Sequence, residues 1–352
     1  LKKNNEFAER KAVMRTIRLE TPEQLRLTET AEPNTPGPGE VLVRMHRFGV
    51  CGTDYHAFRG NQPFFTYPRI LGHELGGEVV ALGPDVQDIA VGAQCAVRPY
   101  LECGHCPPCR RGKPNCCANL QVFGVHIDGG MREFALLPAS HVHPATHLTY
   151  DQLALVEPLS VGAHAVARAQ LAAGERVLVV GAGPIGLAVT QFALLSGVQV
   201  MVMDISEQRL DFVQRHWPMV TLINGQGGGL AALQKVTGDD LPITVFDATG
   251  NPHSMQQAFS YVGFGGRLIF VGLFPGEVTF HDPTFHSHEM TLLSSRNALG
   301  TDFQRVIAAI EAEQVALAPW ITHRAVFETL IEAFPLWTDP SSGIIKGLIS
   351  VE

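Results

Sequence analysis

The chain has 352 residues, more than one hydrophobic core usually serves, so two domains are expected. It is 45% hydrophobic and 17% charged, which is ordinary for a globular protein, and no apolar run reaches the ~18 residues of a membrane span. A net charge of -8 speaks against a nucleic-acid partner, which would call for a basic face. Without a secretory apolar segment near its start, the chain is expected in the cytoplasm, where clustered cysteines bind metal rather than form disulfides.

In chain order, residues 1–10 are polar and aperiodic, open on Leu1 and contain Glu6-Phe7, a pair encoded by a common cloning site. They read as a cloning remnant or a native disordered tail. From Val13 to Tyr100 short strands alternate with turns, with strands at 40–45 and 76–82 and turns at 36–39 and 82–85. This pattern fits a mostly β, barrel-like domain. The character changes near Asp151. A helical stretch at 152–173 is followed by strands at 175–180, 199–204, 243–247 and 267–271, with helices at 187–196, 207–215 and 253–261. Alternation of this kind gives an α/β, doubly wound parallel sheet. A further apolar strand at 290–293 and a helix at 303–312 close the reading. The expected domains are 11–158, carrying catalytic zinc, 159–297, binding a dinucleotide, and 298–352, returning to the first.

The strand Val177-Leu178-Val179-Val180 runs into Gly181-Ala182-Gly183-Pro184-Ile185-Gly186. Gly181 permits a tight turn, Gly183 lets backbone approach a pyrophosphate, and Gly186 lets the helix pack on the strand. The helix N-terminus then offers free N–H groups to the phosphates. The next strand ends in Asp204, about 20 residues on, where a carboxylate binds the ribose hydroxyls and repels a 2′-phosphate. NAD is therefore expected over NADP. Arg209 is placed to flank the adenine or to lie free on the surface.

Cys103, Cys106, Cys109 and Cys117 form C-x2-C-x2-C-x7-C, a closed four-thiolate shell suited to structural zinc, with Cys116 a neighbour able to compete for the fourth place. A second constellation is Cys51-Gly52-Thr53-Asp54-Tyr55-His56, Gly72-His73-Glu74 and Glu157-Pro158. Catalytic zinc needs three protein ligands and an open position. Cys51 and His73 supply two, and the third is Glu74 or Glu157. His281, His286 and His288 share one loop without metal-ligand context.

These motifs, in this order, resemble the zinc-containing medium-chain dehydrogenases, which include sorbitol, threonine and alcohol dehydrogenases. The resemblance covers nearly the whole chain from Lys11 and implies a Rossmann domain joined to a GroES-like catalytic domain. It further implies NAD and two zinc ions per chain, with a small-molecule secondary alcohol as substrate. Glu157 stands where the polyol branch carries a glutamate, and zinc in that branch exchanges between the two glutamates and water. The family's proton path maps onto Thr53 and His56, Asp54 onto the carboxylate that orients the ligand histidine, and Lys346 onto a basic residue near the cofactor phosphates. Residues 60–65, 124–126 and 295–298 are most similar to sugar-acid dehydrogenases of the L-galactonate type. Arg296 and Glu157 are implied on the substrate side, and relatives pair as dimers or tetramers through the cofactor-sheet edge. Threonine or simple-alcohol oxidation, a zinc-free quinone reductase and a non-catalytic zinc-binding module are the competing readings.

Overall fold

The computed structural model describes residues 12–63, 65–145 and 147–351, so residues 1–10 lie outside the described residues. Two sheets organise the chain. The first is seven-stranded and mixed, built around Glu40–Val50. That strand pairs antiparallel with Glu74–Leu82, Phe134–Pro138 and Lys346–Ser350, and the last of these pairs in parallel with Ile321–Val326. Val41, Val43 and Met45 alternate inward, as period two requires, and meet Ile17, Leu75, Val79, Phe327 and Phe334 in one core. The end of the chain thus returns to the sheet that the beginning builds.

The second sheet is wholly parallel. Its strands are β1 (Arg176–Val180), β2 (Gln199–Asp204), β3 (Thr221–Asn224), β4 (Thr244–Asp247), β5 (Arg267–Phe270) and β6 (Thr291–Ser294), in spatial order β3-β2-β1-β4-β5-β6. This order reverses direction beside β1, where such sheets bind dinucleotides. Val177 to Val180 are all buried because helices cover both faces.

The helix Tyr150–Ala169 joins the sheets. It is capped by Thr149, whose side chain accepts from the Gln152 N–H, and Leu153 to Ser160 are buried all round. The expected boundary between 158 and 159 falls inside it. The helix stops short of 173 because Gln170 turns left-handed, with φ of 52°. The structure has elements at several places where the sequence predicts none, among them β3, the helix Gly229–Thr237, which follows a glycine run, and the short helix Asp282–Ser287.

Candidate zinc and dinucleotide sites

The ligand atoms of Cys51, His73 and Glu74 lie within 4.8 Å of one another. Cys51 caps the short helix Gly52–Phe58, and its N–H donates to Asp54 Oδ2 at 2.9 Å. His73 and Glu74 follow the left-handed Gly72 into strand Glu74–Leu82, both buried. His73 Nδ1 faces Asp54 Oδ1 at 3.6 Å, too long for a hydrogen bond but an orientation that leaves Nε2 for a metal. Burial pushes the His73 pKa down, but Asp54, Cys51 and Glu157 outweigh it and hold the imidazole well above its usual value. A cradle of this kind, built from thiol, imidazole and carboxylate with His73 and Glu74 buried and Cys51 half-buried, fits a zinc ion.

Glu157 enters from the long helix and accepts a hydrogen bond from Tyr100 Oη. Burial, with the Glu74 charge adding, pushes its carboxyl up to about 7, while His73 opposes. Burial likewise raises Asp54. Glu74 groups with Cys51 and His73 but is also held elsewhere. Lys346 was expected beside the cofactor phosphates. Its ammonium donates instead to both Glu74 oxygens, at 2.6 and 2.8 Å, and to the Val50 carbonyl at 3.2 Å. The reason is register: Gly347 pairs with Val50 and Gly49 with Glu74, so Lys346 arrives beside a carboxylate that needs a cation. Burial disfavours the ammonium, but Glu74 and Cys51 raise its pKa above the ordinary lysine value.

Thr53 is half-buried and His56 exposed on the same short helix, with His56 Nδ1 2.9 Å from Asn61 Oδ1. Arg296 is exposed just beyond β6; burial lowers the His126 pKa, and the nearby Arg296 and then Arg69 add to that. His281, His286 and His288 belong to neither group of converging metal-ligand atoms found among the described residues.

The four-cysteine loop also closes on itself. Cys106 Sγ lies 3.4 Å from Cys109 Sγ and 3.8 Å from Cys117 Sγ, and Cys117 Sγ lies 3.5 Å from Cys103 Sγ. Four sulfurs at ~2.3 Å from a tetrahedral zinc would stand about 3.8 Å apart, so the quartet fits that ion. Backbone N–H groups of His105 and Cys106 pull the Cys103 thiol down toward thiolate. Cys116 is exposed and outside the quartet.

At the end of β1, Gly181 takes φ of 97°. A Cβ on Gly186 would stand 1.7 Å from the Gly181 carbonyl oxygen, so helix Pro184–Leu195 meets the turn backbone to backbone. Gly183 caps that helix, with Pro184 and Ile185 in its first turn. Asp204 Oδ2 accepts from the Ala182 N–H at 2.6 Å and Oδ1 from the Ser206 N–H at 2.8 Å, fixing the carboxylate at the lip of the turn. Arg209 Nη1 lies 3.9 Å from Asp204 Oδ2, half out in solvent. This cradle fits a dinucleotide's pyrophosphate and ribose. The partners Tyr100 and Lys346 have no local signal, because they meet the glutamates across 57 and 272 residues.

The alcohol dehydrogenase GroES-like domain family matches residues 37–147, and the zinc-binding dehydrogenase family matches residues 184–312. L-Galactonate-5-dehydrogenase of Escherichia coli K12 is 43% identical over 315 residues, 90% of this chain and 93% of that protein. An alcohol dehydrogenase (rspB) from E. coli CFT073, solved with NADH, superposes with a TM-score of 0.89 at 31% identity, covering 96% of this chain and 99% of that one. Galactitol-1-phosphate dehydrogenase from E. coli gives 0.88 at 27%, covering 96% and 100%.

Proposed function

This chain belongs to the zinc-binding dehydrogenase family, in its polyol branch, and we propose that it oxidises a secondary alcohol of a sugar acid of the L-galactonate type with NAD as hydride acceptor. The observation that carries the reading is the largely buried cluster of Cys51, His73 and Glu74 with Glu157 beside it. Bound there, zinc would supply Lewis acidity toward the substrate hydroxyl. Cys51, His73 and one glutamate hold it, with Asp54 orienting the His73 ring. The cysteine quartet holds a second, structural zinc.

Thr53 and His56, three residues apart on one helix face, form the route by which the substrate's proton leaves the largely buried site, ending at exposed His56. Asp204 selects NAD through its charge, supported by the NADH-bound neighbour. Gly181, Gly183, Pro184, Ile185 and Gly186 line the pyrophosphate, with Arg209 at the adenine side. Lys346 serves the metal site through Glu74 rather than touching the cofactor. The substrate class rests on the relative at 43% identity and on Arg296, whose guanidinium can bind a carboxylate bidentately. Chains pair through the open edge at β6, where Thr291, Leu292 and Ser294 are exposed, and light scattering on the eluting protein reads the assembly.

The test compares aldonates, neutral polyols, L-threonine and ethanol by NADH formation, for wild type and Arg296→Ala. Preference for L-galactonate over galactitol, lost in Arg296→Ala by roughly 30-fold or more in kcat/KM, is expected from a desolvated charge contact of about 2–5 kcal/mol. A wild type that prefers ethanol or threonine overturns the substrate class.

A further inference from the structure

Arg296 has an exposed side chain and a firmly held backbone. On its N-terminal side the Ser295 N–H donates to the Phe270 carbonyl at 2.8 Å, tying the segment to the end of β5. On its C-terminal side Asn297 is left-handed, with φ of 52°, and Ala298 is 1% exposed. A non-glycine residue in that region carries strain that surrounding contacts must offset. The contact on Arg296 itself comes from far away. Asn115 Nδ2 donates to the Arg296 carbonyl at 2.9 Å.

Asn115 stands two residues before Cys117, inside the four-cysteine loop, and is 4% exposed. The same amide nitrogen lies 3.3 Å from His164 Nε2. His164, on the long helix, turns Nδ1 to Asp302 Oδ2 at 2.8 Å, and that oxygen also accepts the Leu299 N–H at 2.8 Å. A carboxylate only accepts, so His164 carries a proton on Nδ1; the Arg296 carbonyl also only accepts, so Asn115 turns its amide nitrogen to this corner and His164 Nε2 is the acceptor facing it. Asn115 therefore spends both amide hydrogens, one on Arg296 and one on His164. A flipped amide would set its oxygen against two acceptors, which fixes its orientation. His164, Asn115 and Asp302 are all at most 6% exposed, so the chain of hydrogen bonds is dry.

We propose that Asn115 is a positioning residue for the acid-binding arginine: the cysteine loop, through Asn115 and the His164–Asp302 pair, fixes the backbone from which Arg296 reaches the substrate carboxylate. The idea rests on the reading that Arg296 contacts that carboxylate. A guanidinium on a long, flexible stem needs a fixed origin to hold a bidentate geometry. The cysteine loop thereby tunes specificity at a site to which it contributes no side chain.

The test measures kcat and KM for L-galactonate and galactitol in wild type, Asn115→Ala, Arg296→Ala and the double variant. Asn115→Ala is expected to raise KM for the acid on the order of tenfold, which corresponds to about 1.4 kcal/mol. Its kcat, and both constants for galactitol, should stay within about twofold, a change of only about 0.4 kcal/mol. In the Arg296→Ala background the same substitution should cost nothing further on the acid, because the group it positions is gone. Equal losses on acid and polyol, or additive losses in the double variant, would make Asn115 merely structural and overturn the proposal. If Asn115→Ala does not fold, Asn115→Ser keeps a small polar group there and is read by the same criteria. If Arg296→Ala alone leaves the acid unaffected, the substrate reading falls first. If it discriminates and Asn115→Ala does not, only this inference falls.

Discussion

Replacing Lys346 with Met should destabilise the metal-free chain far more than an ordinary surface change. Its side chain is 1% exposed and that of Glu74 is 0% exposed, so the substitution strands a carboxylate in a dry interior. Two unit charges near 2.8 Å attract by about 6 kcal/mol at an effective dielectric of 20, and desolvation of both groups cancels part of it. Removing one partner alone is expected to cost roughly 3–5 kcal/mol. Glu74→Gln in the same background should recover most of that, since a neutral side chain of equal size carries no unpaired charge. Size matters, because a Cβ on Gly49 would stand 2.0 Å from Glu74 Oε2, leaving no room for a bulkier group. Urea unfolding with a chelator present, followed by far-UV circular dichroism, reads the effect. Restoring zinc should shrink the deficit, because Glu74 lies within ligating reach of Cys51 and His73. A Lys346→Met chain within about 0.5 kcal/mol of its parent would refute the reasoning, since that is the range of an uninvolved surface site. So would a double variant no better than the single.

Metal analysis should find two zinc ions per chain. Dipicolinate should strip one with loss of activity while the far-UV spectrum holds, and active enzyme with fewer than two would contradict the two-site reading. Gly186→Ala should abolish NADH binding by calorimetry, because its Cβ would stand 1.7 Å from the Gly181 oxygen, and near-normal affinity would show that the turn tolerates separation. Asp204→Ser should narrow the preference for NAD by removing repulsion of a 2′-phosphate, and a wild type faster on NADP would mean the strand end has been misread. Burial, with Arg98 adding, lowers His143 to about 4 from 6.5, so its contribution to stability is complete above 6.5 and disappears as pH falls through 4. His143→Phe, which keeps the ring packed on Phe303, should flatten stability against pH across that window, and an unchanged slope would assign it to other groups.

The motifs that were legible in sequence are those whose chemistry is local. A glycine turn after an apolar strand, and four cysteines within one loop, carry their geometry in their spacing. Residues that meet through the fold could be named only in part. Cys51, His73, Glu74 and Glu157 stand out because each sits in a distinctive short motif, yet the sequence leaves open which glutamate joins Cys51 and His73. The structure gives Glu74 the nearer place and a lysine partner at the same time. The resemblance implies Lys346 near the cofactor phosphates, and nothing in Gly343-Ile344-Ile345-Lys346 reveals that antiparallel pairing brings it to residue 74. Glycines 227–229 obscure the start of the helix Gly229–Thr237.

The helix Tyr150–Ala169 lies wholly in the gap between the two matched families, which stop at 147 and resume at 184. It carries Glu157 toward the metal cluster and, five residues on, Gly162, where a Cβ would stand 2.5 Å from that of Ala188 in helix Pro184–Leu195. That spacing is about 7.5 Å of continuous rod. The chain is consequently not modular in the way its two halves suggest. A chimera that imports the nucleotide-binding half of a relative at a junction near 158 would join the carboxylate of one protein to the packing surface of another. Any mismatch in the second would rotate the first. Junctions before Thr149 or after Gln170 move the whole rod as one piece and keep its two duties in register.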